Sequence, residues 1–205
     1  IDLNRDIGGF DRDLNHVAQR HQADPQARKR AIESGRILFG GAGLATTPVI
    51  DYRSYTDHSE DGDIHMLVHQ FSTRQRLRNA NGHADNHVMQ IGGRWGFTVD
   101  QPDLGNLFRQ MDSWLMAITE DEIERDPVLK TVRNKPQALQ DSCWDNTAAV
   151  RLLIEEEQSY GGSSRCNELY PAYQTPRQVA GAPLENDIVS CQLRSVNPAD
   201  YGVTI

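Results

Sequence analysis

The chain has 205 residues, and its 21 Lys and Arg against 29 Asp and Glu give a formal charge of −8. That acidic balance excludes a nucleic-acid or anionic-membrane binder, which needs a basic face. Hydrophobic residues at 38% make a globular composition, and apolar runs of only a few residues cannot span a bilayer.

The chain opens at Ile1 on IDLNRDIGGFDRDLN, which reads like the interior of a domain and carries no charged-then-apolar leader. The expectation is a processed chain, or the C-terminal part of a longer protein. Residues 1–36 form a polar lead-in that continues an upstream segment. Within it PQARKRAIES predicts a helix from about Pro25 to Ser34, ended by Gly35.

Next comes RILFGGAGLATTPVIDYRSYTD. Gly40, Gly41 and Gly43 suggest a dinucleotide cradle, but the helix that must follow is missing. Thr46-Thr47-Pro48 leads instead into Val49-Ile50, so the reading is a glycine-rich turn entering a buried strand. An acidic loop, DHSEDGD, runs from Asp57 to Asp63. Ile64, Leu67, Val68 and Phe71 then recur at i, i+3, i+4 and i+7, predicting an amphipathic helix through about Arg78, stopped by Asn79-Ala80-Asn81-Gly82.

A second strand is predicted at His87–Ile91, closed by Gly92-Gly93. The strongest helix follows Pro102-Asp103, along Leu104, Leu107, Phe108, Met111, Trp114, Leu115 and Ile118. Residues 37–130 therefore run βαβα, the order of an α/β protein with a parallel sheet and flanking crossover helices. Residues 131–205 are a turn-rich, cysteine-containing wrap with scattered short strands.

In an open parallel sheet, functional groups gather at the carboxyl ends of the strands. Asp57 lies just past such an end, where a carboxylate suits the acid of a Ser-His-acid triad. His65 begins a helix on the same rim, and His69 sits one turn further on as a packed, hydrogen-bonded imidazole. His83 and His87 lie towards the opposite, amino end, which argues against catalysis for both. Arg94 and Trp95 occupy the loop after the second strand, which has no histidine.

Zinc at His65 and His69 is the competing chemistry, but HMLVH lacks the internal Glu of the metalloprotease helix. Calcium chemistry suits Asp2-x-Asn4-x-Asp6 or DHSEDGD, yet neither fits the twelve-residue loop pattern, and solvated acidic turns are the plainer reading. No metal and no cofactor is assigned. A nucleophile is missing too: no GxSxG elbow occurs, GGSSR lacks the second glycine, and Cys143 is followed by no histidine. The three cysteines, Cys143, Cys166 and Cys191, form no CxxC pair. Their loop-rich setting favours an oxidising compartment, hence a secreted or periplasmic protein, with Cys166–Cys191 as the expected disulfide.

TTPVIDYRSYTD resembles the seventh-strand segment of α/β-hydrolases, especially the tannase and feruloyl esterase group, with Asp57 at the family's acid position. DLNRDIGGFD, GGAGLATTPVIDYR, GDIHMLVHQFSTRQRLRNANGHADN, DSCW, RCNELYP and AGAPLENDIVSCQL resemble the C-terminal part of a large family of secreted bacterial proteins of uncharacterised function. The resemblance covers nearly the whole chain. It implies the C-terminal portion of an α/β-hydrolase-like sheet, with the nucleophile upstream of Ile1 or on a companion chain of the same precursor. In that family fold the histidine follows the eighth strand, a loop that here has none, so His65 is its best substitute.

The expected function is a segment of a serine esterase acting on a small-molecule or polymer ester. Asp57 orients the base, His65 is the base, and Arg94 and Trp95 line the pocket. The alternative is a non-catalytic binding or structural module on a hydrolase scaffold. A third reading, a metal-dependent hydrolase, uses His65 and His69.

Overall fold

A computed structural model describes residues 9–10, 13–14, 16–17, 24–36, 38–58, 64–92, 104–145, 147 and 152–186. The chain divides into two compact units, residues 38–186 and residues 1–37 with 187–205. In the smaller unit β1 (Gly9–Phe10) pairs antiparallel with β2 (His16–Val17). Helix α1 (Pro25–Glu33) follows, and the Asp24 carboxylate caps it by accepting the N–H of Gln26 at 2.8 Å. Proline in the first turn lacks only an N–H that the helix has no use for there. Gly35 leaves the helix at φ +71°, as the sequence predicts.

The larger unit holds a four-stranded sheet in the order β3-β4-β5-β6. Strands β3 (Val49–Ser54) and β4 (His87–Gly92) run parallel, with Val49 opposite His87 and Ser54 opposite Gly92. Helix α2 (Val68–Asn81) is the crossover between them, and Gly82 at φ +80° ends it in the left-handed conformation. Then α3 (Leu104–Glu120) and α4 (Pro127–Arg133) lead to β5 (Ser142–Asp145), a third parallel strand against β4. Strand β6 (Leu152–Glu155) returns antiparallel on β5, followed by the short helices α5 (Arg165–Leu169) and α6 (Pro176–Val179).

The fold is thus mixed α/β with a mostly parallel sheet. Residues beyond 130 contribute two strands to it, more than the wrap read from the sequence. Among the described residues no helix is long and apolar enough to cross a membrane.

All six residues of β4 are buried, whereas β3 is only half-buried along most of its length. The buried strand predicted at Val49 is therefore an edge strand among the described residues, and β4 and β5 are the interior ones. Side chains alternate across β4, so each face gets its own core. Met89 and Ile91 pack with Leu67, Phe71, Cys143 and Cys166, while Val88 packs with Trp114 and Leu139.

Helix α3 buries Leu107 and Trp114, and it meets the sheet through Trp114, which packs on Val88 and whose indole N–H donates to the Thr131 carbonyl at 2.8 Å. The other half of its predicted apolar stripe faces outward, and Phe108 is 76% exposed. Helix α2 also departs from its pattern: it starts at Val68, leaving Ile64 80% exposed outside it. The cause lies in the site described next.

Candidate active site at the carboxyl rim

Beyond Ser54 the chain turns at Tyr55-Thr56-Asp57, over the carboxyl end of β3. One carboxylate oxygen of Asp57 accepts the N–H of Leu67 at 2.8 Å, and the other accepts the N–H of Tyr173 at 2.8 Å. The first bond occupies a free N–H at the head of α2 and favours a negative charge there, so it decides where that helix begins. The second ties Asp57 to a segment 116 residues away. A carboxylate has about four lone-pair sites, so two N–H groups leave room for a third donor.

His65 is brought to the same place by its main chain, because the Thr56 hydroxyl donates to the His65 carbonyl at 3.2 Å. Its side chain is half-buried. His58, next to Asp57, stacks on Tyr55 with ring centroids 5.2 Å apart. His69 is exposed rather than packed, and its Nε2 bonds the Ile64 carbonyl at 3.0 Å. Arg94, Trp95 and the acidic residues Asp61 and Asp63 lie outside the described residues, as do Asp2, Asn4 and Asp6.

Tyrosines enclose Asp57. The Tyr55 hydroxyl donates to the Pro171 carbonyl at 2.9 Å, and Tyr170 meets Tyr55 edge-on at 5.2 Å. The Tyr160 hydroxyl donates to the Tyr173 carbonyl at 3.3 Å. Burial, and then the Asp57 charge, push both the Tyr55 and Tyr160 phenols above the ordinary tyrosine value, so at neutral pH both remain donors. The tyrosines in the text YGGSSRCNELYPAY were the available signal for this wall, but nothing in their spacing says which rim they join.

A second rim carboxylate, Asp145 at the end of β5, also escaped the sequence reading. It accepts the hydroxyl and N–H of Thr147, at 2.6 and 2.8 Å, and lies 3.5 Å from the Arg165 guanidinium. Those Thr147 bonds, helped by Arg165, hold it below the usual carboxylate range.

The disulfide expectation is corrected: Cys166 is bonded to Cys143, not to Cys191. Cys143 is on β5 and Cys166 on α5, both fully buried in one core, so packing brings them together. Cys191 lies outside the described residues.

The amino end of the sheet has a different character. Arg74 of α2 makes a double ion pair with Asp141, donates through Nε to His87 Nδ1 at 3.1 Å, and reaches the His87 carbonyl at 2.8 Å. His87 Nε2 then faces Asp51 at 3.5 Å. Burial alone would raise the Asp51 carboxyl, but the His87 hydrogen bond, Arg53 and Gln70 outweigh it and hold the group below its ordinary value. A cavity of about 470 Å³ opens beside this network, between Arg78, Lys135 and Glu157. Its lining is net acidic, with Arg74 paired to Asp141 and Arg78 to Glu157, and His87 is bonded to Arg74 beside it. Among the described residues, no three His, Cys, Asp or Glu group in a way that would hold a metal ion.

A family model described as a tannase-like family of unknown function (DUF6351) matches residues 1–205. The chain belongs to that tannase-like family. No curated protein and no solved structure matches it. Membership in the tannase-like family suggests a relation to hydrolases.

Proposed function

We propose that this chain is the acid-bearing part of an α/β-hydrolase-like serine esterase. The observation that carries the reading is Asp57, a carboxylate past the end of a parallel strand, fixed by two N–H groups in a chain of a tannase-like family. In this role Asp57 holds one imidazole tautomer and stabilises the imidazolium. His65 takes the proton of a serine hydroxyl as the serine oxygen attacks the ester carbonyl, then gives that proton to the departing alcohol. Water, deprotonated by the same imidazole, releases the acid and restores the serine.

The sequence holds no GxSxG elbow, so the serine belongs to an upstream segment or a companion chain of the same precursor. The outer edge of β3 supports this, since among the described residues it has a strand on one side only. Parallel sheets are ordinarily continued and covered. The substrate is a carboxylic ester, aromatic or polyester-type, with Arg94 and Trp95 lining its pocket. The disulfide supports an oxidising, extracytoplasmic setting.

The non-catalytic module has one observation of its own: both Asp57 oxygens already serve the fold. Two measurements separate the readings. Fluorophosphonate labelling of the native protein should mark one serine, mapped by mass spectrometry outside these 205 residues. In the full protein, Asp57→Asn and His65→Ala should each lower kcat for ester hydrolysis by about 10³-fold or more. Turnover within a few-fold of wild type in both variants, with no labelled serine, would leave the binding module as the better account.

A further inference from the structure

The segment from Arg165 to Tyr173 is a strap held to β5 and β6 at its start and reaching the carboxyl rim at its end, where it makes the Asp57 bond. Cys166 fixes it covalently to β5. Glu156 accepts the N–H groups of Cys166 at 2.9 Å and Arg165 at 3.2 Å, anchoring its first turn. The Tyr170 hydroxyl donates to the Trp144 carbonyl, one residue beyond Cys143, and the Tyr55 hydroxyl holds Pro171. Two residues later the Tyr173 N–H reaches Asp57.

We propose that the Cys143–Cys166 disulfide positions the Asp57 carboxylate, by seating the strap whose Tyr173 N–H holds one of its oxygens. The disulfide touches no reacting atom, and its part is to fix where the strap runs. With the bond cut, the strap keeps its hydrogen bonds, the Arg165 ion pair and the packing of Leu169, Tyr170 and Ala172, but loses its covalent anchor, and the Tyr173 end opens more often than the α2 end. Asp57 then keeps Leu67 and loses Tyr173, so the carboxylate gains freedom to swing away from the two phenols. Any catalytic meaning of this rests on Asp57 as the triad acid; the positioning itself is measurable without ester turnover.

The test is hydrogen exchange on the full protein, comparing wild type with Cys143→Ala/Cys166→Ala. Exchange at the Tyr173 amide should rise by about tenfold or more relative to Leu67, over and above the common rise that the lost global stability gives the β4 amides. The absorbance of tyrosinate, followed against pH, should show the Tyr55 and Tyr160 phenols titrating lower, because the Asp57 charge has moved off. A purely structural bond away from Asp57 would not move that signature.

If the double variant unfolds, Tyr170→Phe decides, since it frees the strap from Trp144 and leaves the disulfide intact. The same selective rise at Tyr173 and the same fall in phenol titration are then expected. Unchanged Tyr173 exchange together with an unchanged tyrosine titration, in whichever of the two variants folds, overturns the proposal. If both signatures move while neither Asp57→Asn nor His65→Ala affects ester turnover, the positioning stands and the esterase reading fails.

Discussion

Carboxylates set most of the local geometry, and their environments differ enough to be separated by titration. Asp121 accepts from the Asn134 amide, from the N–H groups of Glu124 and Ile123, and from Arg133, an arrangement that lowers it from 3.8 to about 2. Its folded value is below its unfolded one, so it stabilises the protein fully above the unfolded value and loses that contribution as pH falls from about 4 to about 2. Carboxyl NMR should put its midpoint near 2, and Asp121→Asn should lower Tm at pH 7 but not at pH 2; a midpoint near 4 would mean that these hydrogen bonds do not hold the carboxylate in solution. Asp57 was legible in the sequence because a strand-end carboxylate is a positional signal. Its partner Tyr173 was not, since a backbone N–H leaves no mark on residue type. Asp145 went unread for a similar reason: its main partner, Thr147, is a short-range turn contact that sequence offers at many positions.

Elements were legible where periodicity was complete and ambiguous where ends depend on distant groups. The 64–78 stripe located α2, yet its first apolar residue, Ile64, lies outside the helix because the Asp57 oxygen caps it later. Strand β5 was missed as a sheet member: SCWD has four residues, too few for alternation to speak, and only its first two, Ser142 and Cys143, pair in the parallel ladder with β4. The glycine-rich turn was read correctly as a turn, and the structure adds its reason. Gly40 adopts φ +89°, and a Cβ there would come within 2.2 Å of the Arg76 carbonyl oxygen on α2. Gly40→Ala should therefore cost roughly 2–4 kcal/mol, seen as a lowered urea midpoint with unchanged m. Gly43, also at positive φ but with nothing within 4 Å, should pay only the backbone term.

For the molecule as a whole, the mixed α/β class and the parallel pairing of β3 with β4 followed from the sequence, because βαβ connectivity leaves few topologies, whereas the places of β5 and β6 did not. Cysteine pairing did not, since connectivity is settled by which side chains share a core. The chain between Cys143 and Cys166 is a loop of separation 23, and closing a loop of that size limits the unfolded ensemble by about 3 kcal/mol. Reduction with the fold otherwise intact should lower Tm by several degrees in calorimetry, and an unchanged Tm would mean that the core, rather than the covalent tie, holds β5 to α5.

The Asp57–Tyr173 bond has a consequence in time as well as in space. Strands β3 and β4 and their crossover helix are near neighbours along the chain and can close early, and α2 acquires its cap from Asp57 at a separation of 10. The second oxygen must wait for a residue 116 positions later, and contacts of that range are the slow ones in folding. A chain arrested part-way would already look like a sheet with a capped helix, yet would leave that oxygen bare. Completion of the rim thus depends on contacts of the slow, long-range kind, whereas the sheet and its capped helix do not.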